Sequence, residues 1–185
     1  MIDRCSRRRF LGGLGVASGA IAASGWAVRR AAAQVSDTAS LYAYVGCFTS
    51  EARGARGDGI NVYRIDSVSG DWHHVQLVPD LVNPSFLAID REHRFVYSAH
   101  GDEDYATAFA IDSGSGRLTP IGWTPSGGER PRFFGLDPAG EFLYACNERG
   151  HNIVAFRVDA ANGALIPTAQ RVAAASPVTI VFTGA

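Results

Sequence analysis

The chain has 185 residues, 46% of them hydrophobic and 10% aromatic, enough to bury one domain's core and too apolar for a disordered segment. Its formal net charge is −1, yet six arginines precede Gln34, so the rest carries about −6. A body of that sign excludes nucleic-acid binding driven by phosphate contacts.

Ser6-Arg7-Arg8-Arg9-Phe10-Leu11 matches the twin-arginine export pattern, and a weakly hydrophobic, Gly/Ala-rich stretch follows from Leu11 to Val28. Ala31-Ala32-Ala33 then supplies a small-residue cleavage site. Residues 1–33 are read as a signal directing the folded chain to the periplasm or beyond, residues 34–40 as a leader, and 41–185 as the working domain. The many Gly, Ala and Ser residues make the apolar stretch a poor uncleaved span. Cys5 lies in this segment. Cys47 and Cys146 remain, each in an apolar strand pattern suited to a free buried thiol, although an oxidising compartment would also let them pair. No Cys/His spacing points to a metal.

Leu41 to Thr49 reads as a strand and Ser50 to Gly59 as a loop with three glycines. Gly59 to Asp66 alternates as a half-buried strand does, Ser69-Gly70 turns, and Trp72 to Leu81 returns as an outer strand. Four strands follow at Phe86–Ile89, Phe95–Ala99, Ala106–Ile111 and Leu118–Thr124. Another four lie at Phe133–Leu136, Phe142–Cys146, Ile153–Val158 and Leu165–Val172. The two sets are copies. Pro84, Asp90, Phe95, Tyr97, Phe109, Asp112, Gly116, Leu118 and Pro120 recur 47 positions later as Pro131, Asp137, Phe142, Tyr144, Phe156, Asp159, Gly163, Leu165 and Pro167.

Units of about 45 residues with four short antiparallel strands predict an all-β fold, a partial β-propeller of about three blades. The first unit has three strands. Ser176-Pro177 followed by Val178 to Phe182 repeats the Pro-then-apolar form of an inner strand, so one blade is expected to be shared between the two termini. Three blades fall short of the usual four to eight. Either the middle of a longer ring is absent, or chains complete one another's ring as a homo-oligomer, or an open arc exposes blade faces.

Tyr44 to Thr49, Gly59 to Asp66, Asn83 to Asp90, Ser126 to Phe133 and Asn152 to Asp159, in this order, resemble the lactonase family related to 6-phosphogluconolactonase, whose members are seven-bladed propellers. The resemblance covers nearly everything after residue 40 and marks the chain as an internally shortened member. It implies opening of a sugar lactone by water, with a lactone or sugar acid as the small-molecule partner and no metal or organic cofactor. In some relatives the reaction is reversible cyclisation of a muconate. A non-catalytic, exported propeller-fragment binding module is the reading from another class.

Lactone opening places negative charge on a carbonyl oxygen, so the site needs a cation or donors there and a group that takes a proton. By the resemblance, Arg132 occupies the position of a channel Arg in the closing blade; its bland alternative is a surface ion pair with Glu129 or Glu148. Asn147 and Glu148 match an Asn-Glu pair of the family. Phe133 stands where many relatives carry His or Asn. His100 is a candidate base by its near-neutral pKa, set against a solvated loop histidine beside Asp102, Glu103 and Asp104. Arg130 and Asn83 complete the substrate-binding candidates, Asn83 doubling as a turn residue.

Overall fold

The computed structural model describes residues 40–183, so the export segment and all but the last residue of the leader lie outside the described residues. Eleven strands form three separate antiparallel sheets. The first holds β1 (Leu41–Gly46), β2 (Ile60–Ile65) and β3 (Trp72–Val78). The second holds β4 (Pro84–Ile89), β5 (Phe95–His100), β6 (Tyr105–Ile111) and β7 (Leu118–Pro125). The third holds β8 (Pro131–Leu136), β9 (Phe142–Asn147), β10 (Asn152–Val158) and β11 (Leu165–Ala173). The eleven expected strands from Leu41 to Val172 are present, within two residues at nearly every end, β4 and β8 beginning two earlier at their prolines; the exceptions are β1 and β3, which stop three residues early. The segment 50–59 is a loop with one 3-10 turn, Glu51–Arg53, closed by Gly54 at φ 58°.

The sheets stack face to face, and alternation along the strands assigns residues to two cores. Ile60, Val62, Val78, Val96, Phe109 and Leu118 fill the space between the first and second sheets. Phe95, Tyr97, Phe134, Leu143, Val154, Phe156 and Leu165 fill that between the second and third. β5 is therefore buried at every position, since both faces of its sheet are covered.

Turn chemistry repeats with the strands. Asp66, Asp112 and Asp159 accept backbone N–H groups two or three residues on, closing the turns at Gly70, Gly116 and Gly163, whose φ values are 78°, 68° and 75°. Neighbouring sheets are joined by a tyrosine on each second strand counted from the axis. Tyr44 donates to the Gly116 carbonyl at 3.0 Å, and Tyr97 to the Gly163 carbonyl at 3.1 Å.

The shared blade is the part of the expectation that the structure overturns. Val178 to Phe182 forms no strand, and the first sheet remains three-stranded. The segment lies on the third sheet instead, with the Phe182 ring 5.1 Å from that of Tyr144 and Ile180 beside Gly135. The cause is geometric: in a three-sheet arc the first and last sheets are separated by the middle one, so a tail leaving β11 meets its own sheet first. Cys47 and Cys146 are free thiols on the first and third sheets.

Candidate functional site

Residues 47 apart build the site, and irregular backbone aims them. Asn83 and Arg130 precede the prolines that open β4 and β8, and both take left-handed conformations, φ 46° and 60°. Asn tolerates this; for Arg it is strain of the kind found where surrounding structure enforces a functional pose. Two residues on, the ladder skips Ser85 between Pro84 and Phe86, and Arg132 between Pro131 and Phe133. These are β-bulges, which re-aim a side chain at a sheet edge. Both bulged residues point toward Gly101: a β-carbon there would meet Ser85 Oγ at 2.6 Å and Arg132 Nη1 at 3.7 Å. Ser85 Oγ is buried without a hydrogen-bond partner.

An ion-pair network surrounds this point. Arg132 Nε donates to Glu148 Oε2 at 2.5 Å. Arg130 Nε lies 3.7 Å from the same oxygen, and its Nη2 lies 3.8 Å from Asp102 Oδ1. Arg130 Nε is itself buried and makes no hydrogen bond. Asp102 accepts from Arg53 through both oxygens, with Nε–Oδ2 at 2.8 Å, and from Asn83 Nδ2 at 2.6 Å. The Arg132 hydrogen bond holds the Glu148 carboxyl below its usual range, and the Arg53 bond does the same to Asp102. An open cleft of about 430 Å³ adjoins the network, lined by Asp102, Glu103, Asp104, Glu129, Arg130 and Arg149.

Arg130, Arg132 and Glu148 thus come together. Of the other three candidates, Asn83 and His100 have their side-chain polar atoms engaged within the fold, and Asn147 is buried with its amide oxygen unpartnered. Asn83 is fully buried, and its amide is spent: Oδ1 accepts from the N–H groups of Thr49 and Ser50 at 2.7 and 3.0 Å, while Nδ2 donates to Ser50 Oγ and Asp102. It clamps the first sheet's loop to the second. His100 is buried, stacks on Tyr105 at 4.4 Å, and uses both ring nitrogens. A carbonyl only accepts, so Nδ1 carries the proton donated to Val82 O at 2.7 Å, and Nε2 accepts from Thr107 Oγ1 at 2.9 Å. Burial lowers its pKa. It is not a solvated loop histidine, since both ring nitrogens are engaged inside the fold. Asn147, its counterpart 47 residues on, is buried in the same way and donates to Ser126 O at 3.1 Å and Asn152 Oδ1 at 2.9 Å. Both side chains tie the end of a second strand to the segment that leads into the inner strand.

Arg53 and Asp102 are the participants that sequence reading missed. They are 49 residues apart on different sheets, and Asp102 sits in an acidic run that resembles a solvated loop. The nearest clue was Glu51-Ala52-Arg53-Gly54, a short turn closed by glycine. Among the described residues no group of three or more His, Cys, Asp or Glu is placed to hold a metal.

The family model described as "Lactonase, 7-bladed beta-propeller" matches residues 42–108 and 92–182. The chain belongs to this lactonase family. The two matches overlap on the middle sheet, as they can where one blade satisfies either of two positions in a repetitive fold. A 6-phosphogluconolactonase of Formosa agariphila is 34% identical over 95 residues, 48% of this chain and 25% of the relative. A crystal structure of a putative 6-phosphogluconolactonase from Bacteroides fragilis superposes with a TM-score of 0.64 at 24% identity, over 75% of this chain and 37% of that one. The periplasmic gluconolactonase of Pseudomonas aeruginosa gives 0.61 at 25% identity, over 68% and 36%. This lactonase-family chain therefore spans about a third of the solved structures it matches, three sheets where the family has seven blades.

Proposed function

We propose that the chain is a lactonase-like hydrolase opening a sugar lactone, exported by the twin-arginine route; its likeness to a periplasmic gluconolactonase supports the location. The observation that carries the reading is the convergence of Arg130 and Arg132 on Glu148 beside two backbone bulges. Water that gives up a proton to solvent adds to the lactone carbonyl as hydroxide and makes an oxyanion, which collapses by breaking the ring C–O bond while the departing alkoxide takes a proton from water; the outward nitrogens of the Arg132 guanidinium are the donors for the oxyanion. Glu148, held ionised, orients that guanidinium and is a weak base.

The surrounding charge narrows the substrate. Asp102, Glu103, Asp104, Glu129 and Glu148 face Arg53, Arg130, Arg132 and Arg149 across network and cleft, leaving a net negative charge. That balance suits an uncharged lactone entering and a carboxylate product leaving, and disfavours a phosphorylated sugar. The test is acid release in a pH-stat from gluconolactone and from its 6-phospho ester. Gluconolactone is expected to be the faster substrate, and Arg132→Ala to reduce its kcat/KM about a hundredfold. A rate unchanged by that substitution defeats the assignment.

The binding-module reading draws on a different observation. His100 has both nitrogens engaged, and Asp102 and Glu148 are held ionised, so none of these groups is poised as a base. Under it, sugar lactones and acids bind by calorimetry without turnover.

A further inference from the structure

Between adjacent sheets one pattern recurs. An aromatic ring at the start of the second strand lies over the turn glycine of the next sheet: a β-carbon on Gly116 would meet the Tyr42 ring at 2.3 Å, and one on Gly163 the Phe95 ring at 2.4 Å. Two residues along the same strand, Tyr44 or Tyr97 donates to that glycine's carbonyl. The pattern leaves one unmatched half at each end of the arc. On the third sheet Phe142 and Tyr144 stand 47 residues after Phe95 and Tyr97 and meet no turn glycine among the described residues. On the first sheet Gly70 has the same turn geometry, φ 78°, and nothing lies within 4 Å of where its β-carbon would be.

The unmatched strand and the unmatched edge are complementary too. β3 leads through five residues to Pro84 and β7 through five to Pro131, each time from the outermost strand of one sheet to the innermost of the next. After β11 the chain does the same in sequence: Ser176, at φ 48° like Asn83 and Arg130, precedes Pro177. Pro177 to Phe182 matches β4 and β8 in length, and the first sheet lacks an innermost strand beside β1. Within one chain the tail is far from that edge, and Val181 on it is 90% exposed.

We propose that two copies of the chain join head to tail into one closed ring. The third sheet of each docks on the first sheet of the other, Phe142 and Tyr144 covering the partner copy's turn at Gly70, and the tail 177–182 adds beside β1 of the copy it meets. Eleven strands and the tail make three four-stranded blades, so the pair has six, inside the range of roughly four to eight that closes a propeller. Blades spaced about 51° apart in a seven-membered ring need about 60° in six, an opening of about 9° per interface. Each interface is heterologous, and two of them close the ring with an innermost strand in every blade. The contact requires the tail to leave its own sheet, where the Phe182 ring lies on Tyr144, and does not rest on what the cleft binds.

Sedimentation of the full chain tests it. A particle of twice the chain mass is expected, with Gly70→Asn and Phe142→Asp each weakening association at least tenfold. Asn accepts left-handed φ and Gly70 lies in open space, so the first variant leaves the single-chain fold intact. Trp123→Asp removes an exposed ring from the outer strand of the middle sheet and is expected to change nothing. Amide exchange across residues 41–46 and 178–182 is expected to slow together as protein concentration rises through the association range. A monomer, a larger assembly, or a dimer indifferent to Gly70→Asn and Phe142→Asp overturns the ring. A dimer in which 178–182 exchanges as fast as in the monomer overturns the strand exchange. Loss of lactone opening without loss of association would sink the functional reading and leave this one standing.

Discussion

His100 shows how one side chain moves from chemistry to structure once its neighbours are known. Burial depresses its folded pKa below the ordinary 6.5. The neutral form is the folded form, so its contribution to stability is complete above pH 6.5 and is lost as pH falls below that toward the folded value. Urea midpoints are expected to drop in this window before the carboxylates titrate, and His100→Gln to flatten the drop while lowering stability throughout. Asp102 and Glu148 have the opposite charge and a lower window: their pairing with arginine stabilises above the ordinary carboxylate range and is lost in acid as they protonate. The same facts bear on activity. With no near-neutral base in the network, log kcat/KM for lactone opening is expected to climb with pH without the inflection that a histidine base would produce. An inflection below 6.5 would implicate His100, whose folded pKa is depressed, and one at or above 6.5 would reveal another base.

Among elements, the turns between strands separate local from tertiary energetics. Asp90 Oδ1 accepts from the N–H groups of Arg94 and Phe95 at 2.6 and 2.7 Å, the second of them buried. Asp90→Ala is expected to cost about 1–3 kcal/mol in equilibrium unfolding because a buried donor loses its partner. Asp66 serves an exposed hairpin, accepting from N–H groups two and three residues on, so Asp66→Ala should cost well under half of that. Glycine turns divide similarly. Gly163 lies beneath the Phe95 ring, and Gly163→Ala adds a steric clash to the strain of positive φ, for about 2 kcal/mol or more. The positions of these turns were legible from sequence because Asp and Gly close them through bonds two to five residues long. Their difference in importance was not, since it depends on which ring the next sheet lays over them.

Among the described residues the three sheets form an arc whose middle sheet carries both cores. Phe109 is buried between the first and second sheets, and Phe109→Ala is expected to destabilise by about 3–5 kcal/mol, read as a shift in denaturant midpoint. Near-UV circular dichroism should show the first sheet losing order with it, because that sheet has no second neighbouring sheet among the described residues. The end sheets differ in kind: each buries one face and leaves the other to solvent, with Leu41, Val45 and Trp72 exposed on the first and Val172 on the third.

By itself the sequence determined the strands, their 47-residue repeat, the turn chemistry and hence the blade. All of these depend on alternation and on contacts between residues a few positions apart. Three things were decided only by tertiary structure: the burial of His100 and Asn147, the meeting of Arg53 with Asp102 across two sheets, and the resting place of the tail on its own sheet. Each depends on which sheet stands next to which, and a side chain's partner across that gap is set by the stacking of whole blades rather than by any spacing along the chain.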